Sequence, residues 1–323
     1  RWIDFRLFME HVYAEMQRRF NETIRGADPG AYVGFNCGPY GENSFAGFNR
    51  ALLGRDATFA FEYQPSHLED RGVSTTLELL HGSAPHMRVG FWLGYNYMDL
   101  EPERYWFKTW WNALRNMYGP ILYTIMNDAS TFANFEYQKV HPTLAYNGFS
   151  SRTKDILSDL TRGTGKMLLS LERKTLIAVY HSEASLMRTY FETTRFPQAE
   201  TLSVWDIRKL IREVDLDYMR LSTDQLLRGE ANRYQVLVLS EILSLSDAEW
   251  DELRKFSNAG GSILAFARTG ITDGHGKYTG SHARIQEILG VRYPQEKFSW
   301  KKDRIRGFST DLIASVGGDV VTG

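Results

Sequence analysis

Apolar side chains recur every three or four positions between residues 4 and 25, at Phe5, Phe8, Met9, Val12, Met16, Phe20 and Ile24. That spacing predicts an amphipathic helix with its stripe packed on a core, stopped by "GADPG" at 26–30. Strand and helix patterns then alternate. "AYVGFN" (31–36), "ATFAFEY" (57–63), "MRVGFWLGY" (87–95) and "PILYTIMND" (120–128) predict strands, and 43–54, 73–82 and 102–119 predict helices. In the third strand Met87, Val89, Phe91, Leu93 and Tyr95 alternate with Arg88, Gly90, Trp92 and Gly94, as on a pleated sheet. Four strand-then-helix units in a row imply parallel strands joined by helical crossovers.

A helix over 151–170 closes this half, and "ERKT" (172–175) reads as a linker. Short buried strands follow at 175–181, 217–222, 234–240 and 262–267, with helices at 201–213 and 247–258. The last helix is signed by a Ser246/Glu249 capping box, an apolar face of Trp250, Leu253 and Phe256, and a stop at Gly260 and Gly261. The expected architecture is α/β: the C-terminal part of a (β/α)8 TIM barrel over 1–171, then a flavodoxin-like three-layer domain over 172–323. That layering is also the class I glutamine amidotransferase type. Four units make half a barrel, so the first four strands are expected upstream of Arg1, whose start without Met, directly in helical periodicity, suggests a fragment.

Polar groups gather where the first-half strands end: Asn36 and Cys37, Glu62 and Tyr63, Tyr95 with Asn96 and Tyr97, Asn127 and Asp128. In a barrel that face carries the active site, and an open doubly wound sheet follows a similar rule. Glu62 interrupts an apolar strand, where an unpaired carboxylate costs several kcal/mol, of order 3–5, to bury. It is the candidate acid, base or nucleophile, the alternative being a carboxylate paired with an arginine at the rim. Tyr63, Trp92, Tyr95 and Tyr97 offer aromatic planes for the C–H faces of a sugar, with Asn36, Asn96, Asn127 and Asp128 as hydroxyl partners. Trp106, Trp110 and Trp111 sit at helical spacing and are assigned to core.

Composition narrows the partners. Among 323 residues, 43% are hydrophobic and 24% charged, with formal net charge -1 and a pI near 6.8, so no field recruits nucleic acid. Cys37 is the single cysteine, which excludes an internal disulfide and a Cys-rich zinc site. No apolar run is long enough to span a bilayer; membrane, metal and cofactor are not expected, and cytoplasmic and secreted locations both remain open. The second half has no cysteine for amidotransferase chemistry. "HSEAS" (181–185) lacks a nucleophile-elbow motif and reads as a loop after a strand; Asp273 and His275 in "GITDGHG" (270–276) read as a solvent loop rather than a metal site.

Residues 231–276, "ANRYQVLVLSEILSLSDAEWDELRKFSNAGGSILAFARTGITDGHG", resemble the trimerisation domain of glycoside hydrolase family 42 β-galactosidases in their order of strand, capped helix ending in Gly-Gly, and loop. "FEYQP" (61–65) and "GFWLGYNY" (90–97) are similar to strand ends in the second half of that family's barrel. The resemblance implies a retaining glycosidase with two glutamates, acting on β-linked galactosides as a homotrimer. It also implies a departure: Tyr95 stands where the family carries its nucleophilic glutamate, and the acid/base glutamate would lie upstream of Arg1. Glu62, Asp99 or Glu101 would have to supply the nucleophile. The alternative is a non-catalytic carbohydrate-binding relative.

Overall fold

The computed structural model describes residues 2–37, 49–63, 72–93, 120–122, 174–195, 216–240, 242–266, 268–279 and 283–291, with single positions at 158, 162, 163, 167, 207, 210, 211, 213 and 214. Of residues 36, 37, 61–63, 72–77, 90–93, 120–122 and 190–195 it describes the backbone. The chain divides into two compact units, one of Glu15–Ala46 and Arg50–Lys174, the other of Thr175–Gly323 with Arg1–Ala14 and Gly47–Asn49. Both are α/β with parallel sheets.

Helix α1 (Trp2–Ala27) forms where its periodicity predicts, but the stripe faces outward. Phe5, Phe8 and Phe20 are 57%, 61% and 57% exposed, and Trp2, Met9, Val12, Met16 and Ile24 are exposed with them, whereas Ile3, Glu10 and Asn21 are buried. The expected packing of this stripe on a core is therefore corrected. Spacing decides which residues share a face; it does not supply a partner for that face.

The first unit carries strands β1 (Gly34–Cys37), β2 (Phe59–Tyr63), β3 (Arg88–Leu93) and β4 (Pro120–Leu122). They pair in the order β1-β2-β3-β4, every pair parallel. Helices α2 (Arg50–Gly54) and α3 (Gly72–Ser83) connect the first three. Ala51, Leu52, Leu53, Leu79, Leu80, Ala84, Met87 and Val89 form the buried layer under them, a set of aliphatic groups whose removal from water drives the packing. The expected helix at 102–119 lies outside the described residues.

The second unit holds β5 (Ile177–His181), β6 (Met219–Ser222), β7 (Val236–Leu239) and β8 (Ser262–Ala265), all parallel, in the order β6-β5-β7-β8. Helices α4 (Glu183–Arg195), α5 (Thr223–Leu227), α6 (Asp247–Asn258) and α7 (Ala283–Leu289) accompany them. Period-two alternation puts Ala178, Tyr180, Leu237 and Leu239 into one cluster with Trp250, Leu253 and Phe256, and Val179 and Val238 into another with Ile207, Ile211 and Tyr218. Both faces of this sheet are covered, as an all-parallel sheet requires.

Helix α6 has the expected bounds, and its two ends explain why. The Ser246 hydroxyl accepts from the Glu249 amide at 3.3 Å, and the Glu249 carboxylate accepts from the Ser246 amide at 2.7 Å. At the other end Gly261 N–H donates to Phe256 O and Gly260 N–H to Ser257 O, both at 3.0 Å, the pairing of a Schellman motif. Gly260 sits at φ +93, which a side chain disfavours. A Cβ on Gly261 would come within 2.4 Å of the Phe256 ring. Helix α4, by contrast, begins inside "HSEAS": Ser182 alone separates it from β5, so the expected loop is corrected to a capped helix start. Among the described residues no helix is long and apolar enough to cross a membrane.

Candidate functional site

The first sheet is tied at its amino-terminal edge. The Thr58 hydroxyl accepts from Val33 N–H at 2.9 Å and donates to Val33 O at 2.8 Å, which locks the entries of β1 and β2 together. Arg88 N–H donates to Thr58 O at 3.0 Å and carries the tie to β3. Just before β2, the Asp56 carbonyl accepts from Asn21 Nδ2 at 3.3 Å and Arg25 at 2.9 Å. Arg88 lies over the Tyr32 ring, 5.1 Å from its centre. A sheet whose register is fixed at one edge can hold loops at the other edge in reproducible places.

That other edge is where the sequence places its chemistry. The register Cys37↔Glu62↔Phe91 forms one row across β1, β2 and β3, and Tyr63↔Trp92↔Ile121 forms the next across β2, β3 and β4. Neighbouring strands are about 4.8 Å apart. The backbones of Asn36, Glu62, Tyr63 and Trp92 therefore stand together at the carboxyl ends of three adjacent parallel strands. Tyr95, Asn96, Tyr97, Asn127 and Asp128 lie outside the described residues, as do Asp99, Glu101, Trp106, Trp110 and Trp111.

A second polar cluster closes the carboxyl edge of β5 and β6, and sequence reasoning missed it as a unit. His181 ends β5; its Nε2 lies 3.1 Å from Glu183 Oε1 and its Nδ1 2.9 Å from the Arg220 guanidinium. The Ser182 hydroxyl accepts from Ser185 N–H at 3.2 Å and so caps α4. With the imidazole engaged on both nitrogens and Ser182 serving as a cap, no Ser-His-Glu triad forms. The Ser185 hydroxyl in turn accepts from Ser244 N–H at 3.0 Å and donates to the Ser244 carbonyl at 2.9 Å, and the Ser244 hydroxyl meets that of Thr272 at 2.7 Å. On the other face the Tyr180 hydroxyl donates to Glu249; burial first, and then the Glu249 carboxylate, pushes that phenol well above its ordinary pKa. The one sequence signal for the cluster was Arg220, a charge inside a buried strand.

The "GITDGHG" segment is a structured turn. Asp273 accepts from the backbone N–H groups of His275 and Lys277 at 3.0 and 2.9 Å, while His275 Nδ1 lies 2.6 Å from Asp4. A Cβ on Gly276 would stand 2.1 Å from Ile3 Cδ1. Among the described residues no group of three or more His, Cys, Asp or Glu side chains is placed to hold a metal.

No family model matches the sequence, and no curated protein matches it. Solved structures do. The cold-adapted β-galactosidase of Rahnella sp. R3 matches 89% of this chain and 44% of its own, with 11% identity and a TM-score of 0.68. A GH42 β-galactosidase from G. stearothermophilus matches 88% and 44%, with 13% identity and a TM-score of 0.67. A GH42 exo-carrageenase from Bacteroides ovatus matches 90% and 44%, with 10% identity and a TM-score of 0.63. The chain thus has the fold of glycoside hydrolase family 42 structures, related to the TIM barrel, and spans less than half the length of each.

Proposed function

We propose that this chain is part of a glycoside hydrolase of the β-galactosidase type that cleaves β-linked sugars by a retaining, two-carboxylate mechanism. The observation that carries the proposal is the position of Glu62, at the carboxyl end of the second of four parallel strands in a chain with this fold. In the reaction a Glu62 oxygen would attack the anomeric carbon as the bond to the leaving oxygen breaks. A second carboxyl group, about 5 to 5.5 Å away, would protonate that oxygen and then deprotonate the water that releases the sugar. No metal or cofactor takes part. Asn36, Tyr63, Trp92, Tyr95, Asn96, Tyr97, Asn127 and Asp128 are proposed to bind the sugar. Carrageenase activity in one structural neighbour leaves the sugar itself open, since a fold does not fix a substrate.

The proposed architecture supports this. The free edge of β1, which among the described residues pairs with β2 alone, and the outward stripe of α1 fit a barrel whose remaining strands pack there. The division at 171/172 is kept as the proposed domain boundary. The order β6-β5-β7-β8 supports a flavodoxin-like second domain, for which a subunit-contact role in a homotrimer is proposed.

The test is hydrolysis of an aryl β-galactoside by the wild-type protein and by Glu62→Gln. A loss of about a thousandfold or more in turnover, with sugar binding kept, is expected of a group acting in the transition state; unchanged turnover would clear Glu62. Tyr95, at the position where a nucleophilic glutamate is expected, favours a second reading as a non-catalytic sugar binder. That reading predicts no wild-type turnover and a weakening of sugar binding by about 1–3 kcal/mol in Tyr95→Ala.

A further inference from the structure

Asn21, Glu22 and Thr23 make up the single Asn-x-Ser/Thr sequence among the 323 residues, the acceptor pattern for an N-linked oligosaccharide and ordinarily the mark of a surface loop. Here it lies inside helix α1, and Asn21 is 1% exposed. Its Nδ2 donates to the Asp56 carbonyl at 3.3 Å, and its Oδ1 accepts from Gln17 Nε2 at 3.0 Å. Arg25 donates to the same carbonyl at 2.9 Å, so Asn21 and Arg25, one helical turn apart, together hold α1 against the entry to β2. Thr23 is exposed, and its hydroxyl donates to Arg19 O at 2.9 Å. Residues two apart on a helix do not face one another. The folded chain therefore separates the amide from the hydroxyl that the motif needs together.

Transfer draws the oligosaccharide from a lipid pyrophosphate donor. The bond from sugar C1 to the phosphate oxygen breaks, the pyrophosphate leaves with the electron pair, C1 bonds to Asn21 Nδ2, and one Nδ2 proton passes to a base of the transferase. The proton that stays could still reach the Asp56 carbonyl. The sugar takes the place of the other, and a glycan is bulky and hydrated. Because Asn21 is closed off from solvent, that glycan could be accommodated only by lifting α1 from the β2 entry. We propose that Asn21 is an N-glycosylation acceptor of the unfolded chain alone, and that a glycan there blocks the docking of α1, so the fold forms only where such transfer does not precede it. This inference concerns the first unit and does not rest on the glycosidase reading.

The test has two arms. In the first, the whole chain made in a bacterial cytosol and a synthetic peptide of residues 18–25 are offered to a purified oligosaccharyltransferase with its lipid-linked donor. The peptide should be modified, and the folded chain at least about a hundredfold more slowly, since its acceptor has to be exposed by local opening. In the second, the whole chain is sent by an added signal peptide through a eukaryotic secretory pathway. Wild type and Thr23→Ser, which keep the motif, should carry the glycan on the tryptic peptide 20–25 and be digested readily by protease. Thr23→Ala, which loses only an exposed hydroxyl, should be unmodified and as protease-resistant as the cytosolic protein. A folded chain modified as fast as the peptide, a peptide that is not modified, or a glycosylated chain with the melting temperature of the unmodified one would overturn the proposal. So would a Thr23→Ala chain that stays protease-sensitive in the secretory pathway, because the block would then lie elsewhere.

Discussion

Both sheets are tied at their amino-terminal edges, the first by Thr58 to Val33 and the second by Thr175 to the Asp217 carbonyl at 2.5 Å. The second is shut at its carboxyl edge by His181, Glu183, Arg220 and the hydroxyls behind them. On the proposed function, parallel sheets of similar size put the same edge to opposite uses. An edge tied by mutual hydrogen bonds contributes rigidity. The edge kept in register from the far side, with Glu62 and Tyr63 at its strand ends, is the one proposed above to carry chemistry.

The contrast breaks most readily at Arg220. Arg220→Ala leaves Glu183 and His181 buried without their cation and should cost about 3–5 kcal/mol of stability in urea unfolding. Replacing the whole set with apolar groups, as in His181→Leu, Glu183→Leu, Arg220→Met, should cost far less, since the desolvated charges go together. If the triple variant were as unstable as Arg220→Ala, the sealed edge would owe its rigidity to packing and not to its polar bonds. Ser246→Ala removes the cap of α6, with an expected loss of about 1 kcal/mol, read from the same unfolding curves. Glu62→Gln is expected to change stability by no more than about 0.5 kcal/mol. A loss several times larger would show Glu62 to be a buried structural partner and remove the difference between the edges.

The smallest effect is one of sign. Asp4 raises the His275 pKa and His275 lowers that of Asp4, chiefly through their hydrogen bond. A raised folded-state histidine gives stability that is present below its unfolded value near 6.5 and lost as the pH rises through the folded value. Wild-type melting temperature relative to His275→Ala should therefore be higher at about pH 6 than at about pH 8.5, by little, because both side chains are largely solvated.

How far the sequence foretold all this depended on how local each signal was. Helix α6 was legible to its last residue because Ser246, Glu249, Gly260 and Gly261 act on their own backbone. The parallel sheets were legible because strand and helix periods alternate in the chain. Helix α4 was missed although Ser182 and Glu183 form an ordinary cap and first turn, because a histidine and a serine side by side drew a catalytic question instead. The His181–Arg220 contact joins residues 39 apart across a crossover, which no local pattern encodes. Glu62 was visible as a break in an apolar run, and its place at a strand end followed from that run's length.

Helix α1 changes how preparations of this polypeptide should be judged. Dyes such as ANS brighten on accessible apolar surface, and a bright sample is commonly taken for a molten globule. Eight large apolar residues lie outward on α1 in the folded chain, enough to bind such a dye in the native state. Dye fluorescence will therefore report this helix even in a perfectly folded sample, and loss of structure has to be followed by near-ultraviolet circular dichroism of the buried Tyr180, Tyr218 and Trp250.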